Sequence, residues 1–391
     1  RVLDPAKRSP TISYIRTIDR ADVVDPYTVN IVTSAPDPLM PTRMSRYPAY
    51  IVPPKYVRDM GDAEFAARPV GTGAYRFVRW LKDDHVLLEA NTQYWRGKPR
   101  IEKIIWRTIP DDVARVAALQ RGEADIIEPL PVDWVETVER SPRLRAERVK
   151  HGGLIVYLGL RFDVPPLNDR RVRQAMAYAI DVDTIVSKIL RGFATPIGTQ
   201  VGPFDFGYSP NVPRYRYNPA KAKALLAEAG FPNGFDIAFQ GTRRYLKGGD
   251  VSQALAEQLT AVGVRAKLEI PEWQVYVQLV PVKKQAAIYM LGWGSTQTLD
   301  ADAAIYAIMR SGEPYSTISI AKLDQLLDEA RRTIDPSARA QLYRQIQTLA
   351  HDEVPMLTLY QEDAVYGINN RVLWKGRADA RLPVFDMRFQ Q

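Results

Sequence analysis

The chain has 391 residues, of which 46% are hydrophobic and 25% charged, with a formal net charge of +8 and no cysteine. This length allows large cores and favours two or more lobes over one domain, while the lack of cysteine excludes disulfides, thiolate nucleophiles and cysteine-type zinc sites. No segment approaches the run of roughly eighteen apolar residues that crosses a membrane.

The positive charge is interspersed with acidic residues along the chain. In segment 324–332, for example, Asp328 and Glu329 stand beside Arg331 and Arg332. Basic runs are short, and no strip of aromatic and basic residues of the nucleic-acid-binding kind accompanies them. We therefore interpret the excess charge as a solvated surface and expect no nucleic-acid partner.

The first half of the chain alternates strand and helix patterns, which is typical of α/β lobes. Alternating apolar residues predict half-buried strands in segments 25–33 and 85–95. A strand at 103–110 leads into a helix that Asp111 or Asp112 caps and Gly122 ends.

A Pro-broken stretch in the middle of the chain runs into an amphipathic helix. Pro165 and Pro166 hold an extended path, and Asn168 and Asp169 offer oxygens to the first helical turn. Apolar and small residues then recur at a spacing of three and four, which predicts a buried stripe: Val172, Ala175, Met176 and Ala179. Three arginines are expected to face elsewhere: Arg170, Arg171 and Arg173. Alone this is an ordinary loop and helix, but with the order of the remaining elements it predicts a crossover between two lobes.

The second half continues the alternation. Helices are predicted from Asn218 to Gly230, around 254–261, and from Asp335 to Pro355. Strands are predicted at 234–241, 264–270 and 286–294, and a strand at 356–360 could return to the first lobe.

Signatures of catalysis are missing from the sequence. Gly71 and Gly73 begin a GxG pattern, but Arg76 at the sixth position breaks the dinucleotide fingerprint, and no P-loop, GxSxG or HExxH motif occurs. The three histidines are isolated in sequence, as structural histidines usually are: His85, His151 and His351. We therefore expect neither an enzyme nor a metal site, and no cofactor.

Aromatic, glycine and arginine residues follow several predicted strands, where open α/β sheets place their ligands. They are Trp293 and Ser295 in the LGWGST loop, Arg243, Arg244 and Tyr245 after the strand ending near Gln240, and the turn of Gly71, Thr72 and Gly73. Each also has a plain interpretation: the tryptophan fills core, the arginines are solvated, and the glycines turn the chain.

Seven segments, in order along nearly the whole chain, give the sequence a recognisable pattern. They are VVDPYTVNI (23–31), GTGAYRF (71–77), RGEADII (121–127), PPLNDRRVRQAMAYAID (165–181), YNPAKAKALLAEAGFPNGF (217–235), LGWG (291–294) and the stretch 323–360. With them the chain resembles the family 5 extracellular solute-binding proteins, the dipeptide, oligopeptide and nickel binders that deliver ligand to ABC importers.

The resemblance implies an α/β, two-lobed periplasmic-binding-protein fold of type II with a hinge. Residues 1–69 would be the last part of a peripheral third domain, 70–160 and 361–391 lobe 1, and 161–360 lobe 2. The family's opening segment would be missing, and Arg1 in place of an initiator Met also suggests an internal boundary, with any targeting segment upstream. The resemblance further implies a monomer in the periplasm, or anchored outside the cell, that works with a membrane permease and binds rather than transforms its ligand.

The resemblance also bears on the ligand. In peptide-binding members an Asp three residues after the Trp of the GW loop anchors the ligand's amino group, whereas here that position is Thr296. Asp300 and Asp302 match the family's following acidic pair. The ammonium anchor is therefore expected to be absent unless another carboxylate substitutes, which favours a small peptide-like or anionic solute such as an opine or a blocked peptide.

In this hypothesis Trp293 and Tyr245 form apolar walls and Arg243 or Arg244 contacts the ligand carboxylate. Ser295, Thr296, Asp300 and the Gly71–Gly73 turn complete the expected ligand-binding set. The alternatives are an oligosaccharide binder of the same fold, an α/β hydrolase, and a binder of nickel or haem, the last disfavoured by scattered histidines.

Overall fold

The computed structural model describes residues 3–4, 15, 17–45, 49–295 and 298–390. Its strands are β1 (Ile18–Asp25), β2 (Thr28–Thr33), β3 (Tyr75–Leu81), β4 (His85–Ala90), β5 (Lys103–Arg107), β6 (Ile126–Ile127), β7 (Leu144–Val149), β8 (Ile155–Leu160), β9 (Ala194–Pro196), β10 (Phe235–Gln240), β11 (Val264–Glu269), β12 (Ile288–Trp293), β13 (Met356–Glu362), β14 (Ala364–Asn369), β15 (Val372–Leu373) and β16 (Arg388–Phe389). Its α-helices are α1 (Met40–Met44), α2 (Pro54–Ala67), α3 (Asp112–Arg121), α4 (Val135–Glu139), α5 (Arg170–Ala179), α6 (Val182–Thr184), α7 (Pro219–Glu228), α8 (Gly248–Ala261), α9 (Trp273–Leu279), α10 (Ala301–Met309), α11 (Ala321–Arg332) and α12 (Pro336–Glu353).

A six-stranded mixed sheet in the order β11-β10-β12-β8-β13-β9 carries the largest cores. Every residue of β8 is buried, as expected for a central strand that is covered on both faces. Val156 and Leu158 point into a core shared with α5 and α8, whereas Tyr157 between them belongs to a second core with α10, α11 and α12. The alternation of side chains along β8 thus divides its residues between two helical layers.

Smaller sheets hold the rest of the described chain. β14 lies between β6 and β7, β4 lies between β3 and β5, and the pairs β1-β2 and β15-β16 form two-stranded sheets. Two covalent connections join the sheet β6-β14-β7 to the six-stranded sheet: residues 150–154 lead from β7 to β8, and Asp363 leads from β13 to β14.

The position of these connections corrects the predicted boundary between the lobes. Residues 155–160, which the sequence places in lobe 1, form the strand β8 at the centre of the six-stranded sheet. The segment at Pro165 and Pro166 does not cross between sheets, because Leu167 beyond it packs in the same core as Val156. The assignment of whole lobes and of a peripheral domain remains a prediction.

The predicted helix caps are confirmed. The Asp111 carboxylate accepts a hydrogen bond from the backbone of Ala114 at 2.7 Å, and Gly122 ends α3 in the left-handed conformation. Asp169 caps α5, and Asn218 and Asp335 cap α7 and α12. Each of these contacts spans only two or three residues, which is why local sequence sufficed to predict them.

Arg173 was wrongly predicted to face away from the core. Its side chain is 2% exposed, and its guanidinium donates to the backbone carbonyls of Leu167, Asn168, Glu353 and Val354 at 2.7–3.1 Å. Burial lowers its pKa to about 10, yet it remains a cation at neutral pH. Arg173 therefore links the segment before α5 to the end of α12, where the last helical carbonyls have no partner within the helix.

Replacement of Arg173 by Met should lower the free energy of unfolding by about 3 kcal/mol, because several buried carbonyls lose their donor. Arg170→Met on the same helix is the matched control, since Arg170 pairs with Glu353 at the protein surface and its loss should change stability by less than about 1 kcal/mol. Urea unfolding of both variants measures the difference. Equal losses would contradict a structural role for Arg173.

Candidate functional site

The loop after β12 is held in a fixed position by its aromatic residue. The indole nitrogen of Trp293 donates to the carbonyl of Ala303 at 2.9 Å, and its ring lies 4.9 Å from that of Tyr315. Trp293 is half-buried, so part of its surface is exposed beside the loop. The structure therefore allows it the role of an apolar wall.

Tyr245, the other predicted wall, lies in the core. Only 8% of it is exposed, its ring is 6.1 Å from that of Trp273, and burial raises the pKa of its hydroxyl. A Cβ atom at Gly292 would lie 2.7 Å from the Tyr245 ring, so the glycine before Trp293 is required for this packing. Tyr245 packs against the strand that leads into the loop of Trp293, and too little of its surface is exposed for it to form a wall of a binding site.

Arg243 and Arg244 are both exposed after β10. Burial raises the pKa values of Glu128 and Glu362, and the charge of Arg244 partly opposes this rise, so its guanidinium lies within electrostatic range of both carboxyls. Within the part of the chain that the structure describes, neither arginine forms an ion pair at 4 Å or less. Of the two arginines, Arg244 is thus the one that lies near the carboxyls at the ends of β6 and β13.

Glu362 is a buried carboxyl at this junction. It is 8% exposed, and burial raises its pKa to about 7, although the Leu246 backbone donates to it at 2.8 Å and Arg244 favours the ionised form. Glu128 stands at the surface, yet partial desolvation by neighbouring atoms also raises its pKa. Both carboxyls near Arg244 therefore hold their protons more tightly than usual.

A small pocket lies beside the loop of Trp293, on the other side of β13 from Arg244. Its walls come from the connection before β8, from the segment 204–205, from the loop after β12, from β13 and from the C-terminal segment. We call it the junction pocket, lined by His151, Gly153, Ile155, Phe204, Asp205, Gly294, Ser295, Leu299, Gln361 and Ala378.

Asp205 brings a carboxylate to the junction pocket. One of its oxygens accepts from the Gly202 backbone at 2.8 Å, and the other accepts from the Ser295 hydroxyl. Burial raises the pKa of Asp205, and the nearby charge of Asp300 raises it further. Sequence reasoning singled out Ser295 but missed Asp205, because a lone acidic residue in a loop carries no motif.

The acidic residues after the loop have structural partners. The Asp300 carboxylate caps α10 through the backbone of Asp302 at 2.9 Å and pairs with Arg339 at 2.7 Å. Asp302 pairs with Arg331 at 2.8 Å. Asp300 is therefore engaged within the protein rather than directed at a solute, and Thr296 lies outside the described residues.

The Gly71–Gly73 turn is exposed and lies apart from the junction pocket. Together with residues of β3 and β4 and of segment 15–31 it lines a separate apolar groove. Asn91 donates to the carbonyl of Gly73 at 3.1 Å. The structure does not bring this predicted part of the site together with Trp293.

The histidines occupy different places in the fold. His85 lies beside Asp84 at 2.9 Å, His351 stacks on Tyr215 at 4.7 Å, and His151 lines the junction pocket. Over the described ranges, no three His, Asp or Glu side chains form a group that could hold a metal ion. No helix among the described residues has the length and apolar character needed to cross a membrane.

Comparison of the sequence with known families decides the class of protein. A sequence model described as bacterial extracellular solute-binding proteins, family 5 middle, matches residues 1–316. The chain belongs to this family. The predicted family membership is therefore confirmed, and the family consists of solute-binding proteins rather than enzymes.

Curated relatives extend the match to almost the whole chain. The glutathione-binding protein GsiB of Pectobacterium atrosepticum is 30% identical over 376 residues, which is 93% of this chain and 72% of the relative. GsiB of Escherichia coli K12 is 28% identical over 377 residues, or 93% of this chain and 73% of the relative. This family 5 protein is thus the substrate-binding component of an ABC importer.

Solved structures confirm the predicted type II α/β fold class. The periplasmic binding protein DppA of Helicobacter pylori, in complex with the peptide STSA, superposes with a TM-score of 0.89 at 26% identity and covers 100% of this chain and 80% of its own. AgaA of A. tumefaciens R10, in complex with agropinic acid, gives a TM-score of 0.87 at 25% identity, with 100% and 82% covered. None of these relatives supports the oligosaccharide alternative.

The raised pKa of Glu362 makes stability depend on pH. A carboxyl with a higher pKa in the folded state binds protons more tightly there, so stability is greatest below the unfolded pKa and falls as pH rises through about 7. Glu362→Gln should remove this dependence, which amounts to at most about 3 kcal/mol between pH 4.5 and 8. Urea unfolding of both proteins across that range tests the effect, and parallel curves would contradict it.

Proposed function

We propose that this family 5 protein captures a peptide-like solute with a free carboxylate at the gap between the sheet β6-β14-β7 and the six-stranded sheet. The Arg244 guanidinium would bind the carboxylate, and Trp293 would provide an apolar wall. The observation that carries the proposal is that Arg244 is an exposed cation near the carboxyls at the ends of β6 and β13, without a direct ion pair in the described ranges.

The surroundings of Arg244 leave its charge available. Burial raises the pKa of Glu362 to about 7, so near neutral pH this carboxyl neutralises Arg244 only in part. A ligand carboxylate could pair with the guanidinium in a charge-assisted hydrogen bond, which typically contributes about 1.5 to 3 kcal/mol. Arg243 is also exposed, but it does not influence the pKa of Glu128 or of Glu362, so it is the less suitable of the two for this place in the fold.

The names of the relatives support a peptide-like ligand. They include glutathione-binding proteins and structures with a peptide and with agropinic acid. Solutes of this kind are compact and polar and carry a carboxylate, which suits a binding site built around one arginine. We place the protein in the periplasm as a monomer that hands its ligand to an ABC permease, in line with the extracellular family to which it belongs.

Closure of the gap would couple binding to delivery. Two short connections, residues 150–154 and Asp363, join the sheets on either side. A ligand that contacts both sides favours the closed form, because the open form lacks half of those contacts. We propose these connections as the hinge, in place of the segment at Pro165 and Pro166.

Arg244→Gln should weaken the binding of a dipeptide or of glutathione by about 10-fold to 100-fold, because the carboxylate loses a charged partner. Arg243→Gln is the matched control, one residue away and equally exposed, and should change affinity by less than about threefold. Isothermal titration calorimetry with a panel of dipeptides, glutathione and opines measures both.

The same panel separates the remaining alternatives. Affinity that is insensitive to both arginine substitutions, together with binding of neutral oligosaccharides, would contradict a carboxylate-bearing ligand. Release of amino acids from the bound peptides would instead indicate a hydrolase, and loss of binding in a strong chelator would indicate a metal-carrying ligand.

A further inference from the structure

We infer that the junction pocket binds an ammonium group of the ligand and that Asp205 is its anchor. This inference rests on the proposed function and specifies the second charge that the solute carries. The carboxylate comes from the segment between β9 and α7, not from the loop after Trp293, where the sequence has Thr296.

Asp205 has no cationic partner among the described residues. Its two oxygens accept one hydrogen bond each, from the Gly202 backbone and from the Ser295 hydroxyl, although a carboxylate can accept about four. Ser295 is buried, so the pair is oriented from inside the protein. Asp300 and Asp302, by contrast, each pair with an arginine. Asp205 is therefore a carboxylate with spare acceptor capacity facing a pocket.

Gln361 brings a second unused acceptor to the same pocket. Its amide nitrogen donates to the carbonyls of His151 and Gly153 at 3.0 and 3.2 Å, which fixes the orientation of the amide. The amide oxygen is buried and has no hydrogen-bond partner in the described part of the chain. A buried acceptor without a partner costs about 1 to 3 kcal/mol, which a bound donor would offset.

His151 adds a third group. Its Nδ1 atom is buried and lacks a hydrogen-bond partner within the described ranges, and burial lowers the pKa of the ring so that it is neutral near pH 7. The Gln361 amide interacts with the ring and favours its charged form, although no hydrogen bond of good geometry joins the two side chains in the described ranges. A neutral imidazole can present Nδ1 as an acceptor, so it can take part in binding a donor.

The three groups match the chemistry of a primary ammonium. An ammonium group has three donors and a positive charge, and the pocket offers a carboxylate, an amide oxygen and an imidazole nitrogen. The space is small, about that of one water molecule, which an ammonium head fits and a substituted amide does not. A carboxylate would be rejected there, because it would face Asp205 and two further acceptors.

The residues that carry these groups also pack closely against each other. A Cβ atom at Gly202, whose backbone holds Asp205, would lie 3.0 Å from the Gln361 amide, so the two walls of the pocket are in close contact. The His151 ring lies 6.2 Å from that of Phe204, the residue before Asp205. Because His151 belongs to the connection before β8, a cation in this pocket would bridge that connection to the six-stranded sheet.

Calorimetry with matched ligand pairs tests the inference: Met-Leu against N-acetyl-Met-Leu, and glutathione against its N-acetyl form. The unmodified protein should prefer each free amine by at least about tenfold. Asp205→Asn should weaken the free-amine ligands by about 10-fold to 100-fold and leave the acetylated ones unchanged. Asp183→Asn removes an exposed carboxylate that pairs with Arg214 and serves as the control, with no change expected.

The outcomes separate this inference from the proposed function. If the unmodified protein binds the acetylated ligands as tightly as the free amines, Asp205 is not an ammonium anchor, while the carboxylate-binding role of Arg244 stands. If neither ligand of any pair binds, the proposed function fails and the inference fails with it. The comparison within the unmodified protein decides the question even if Asp205→Asn does not fold.

Discussion

The pairing of β8 with its two neighbours is the constraint on which the site depends. Ile155, the first residue of β8, lies opposite Trp293 of β12 on one side and opposite Gln361 of β13 on the other. A shift of one residue in either register would turn the side chains of that strand to the opposite face of the sheet. Because both faces of β8 are buried, such a shift would exchange the side chains that fill the two cores, Val156 and Leu158 on one face and Tyr157 on the other, so the register is strongly fixed.

This register gives the two sides of β13 different chemical surroundings. Gln361 turns toward the junction pocket, and Glu362, the next residue, turns toward Arg244 and the backbone of Leu246. Alternation along the strand thus separates a region of acceptors from a region with a cation. A zwitterionic solute has the complementary arrangement, since its ammonium and carboxylate groups require opposite partners.

The features that the sequence predicted correctly are those that depend on residues close together in the chain. The caps at Asp111, Asp169 and Asn218 and the apolar run of β12 depend on residues a few positions apart, and the structure contains them as expected. Long-range contacts were not accessible in the same way: the buried environment of Arg173 comes from carbonyls at 353–354. The junction pocket likewise joins segments separated by more than a hundred residues, and no spacing in the sequence relates them.

The carboxylates around the loop of Trp293 show why residue type alone did not locate the site. Asp300 and Asp302 stand in the segment where the family resemblance directs attention, yet Arg339 and Arg331 compensate their charge within the protein. Asp205 stands in an unremarkable loop and has no such compensation in the described chain, only a hydroxyl and a backbone amide. A partly buried charge that the fold itself leaves without a counter-charge carries a desolvation cost, which a ligand of opposite charge would offset. In our inference, the missing counter-charge, rather than the residue type, marks Asp205 as the binding carboxylate and Asp300 and Asp302 as structural ones.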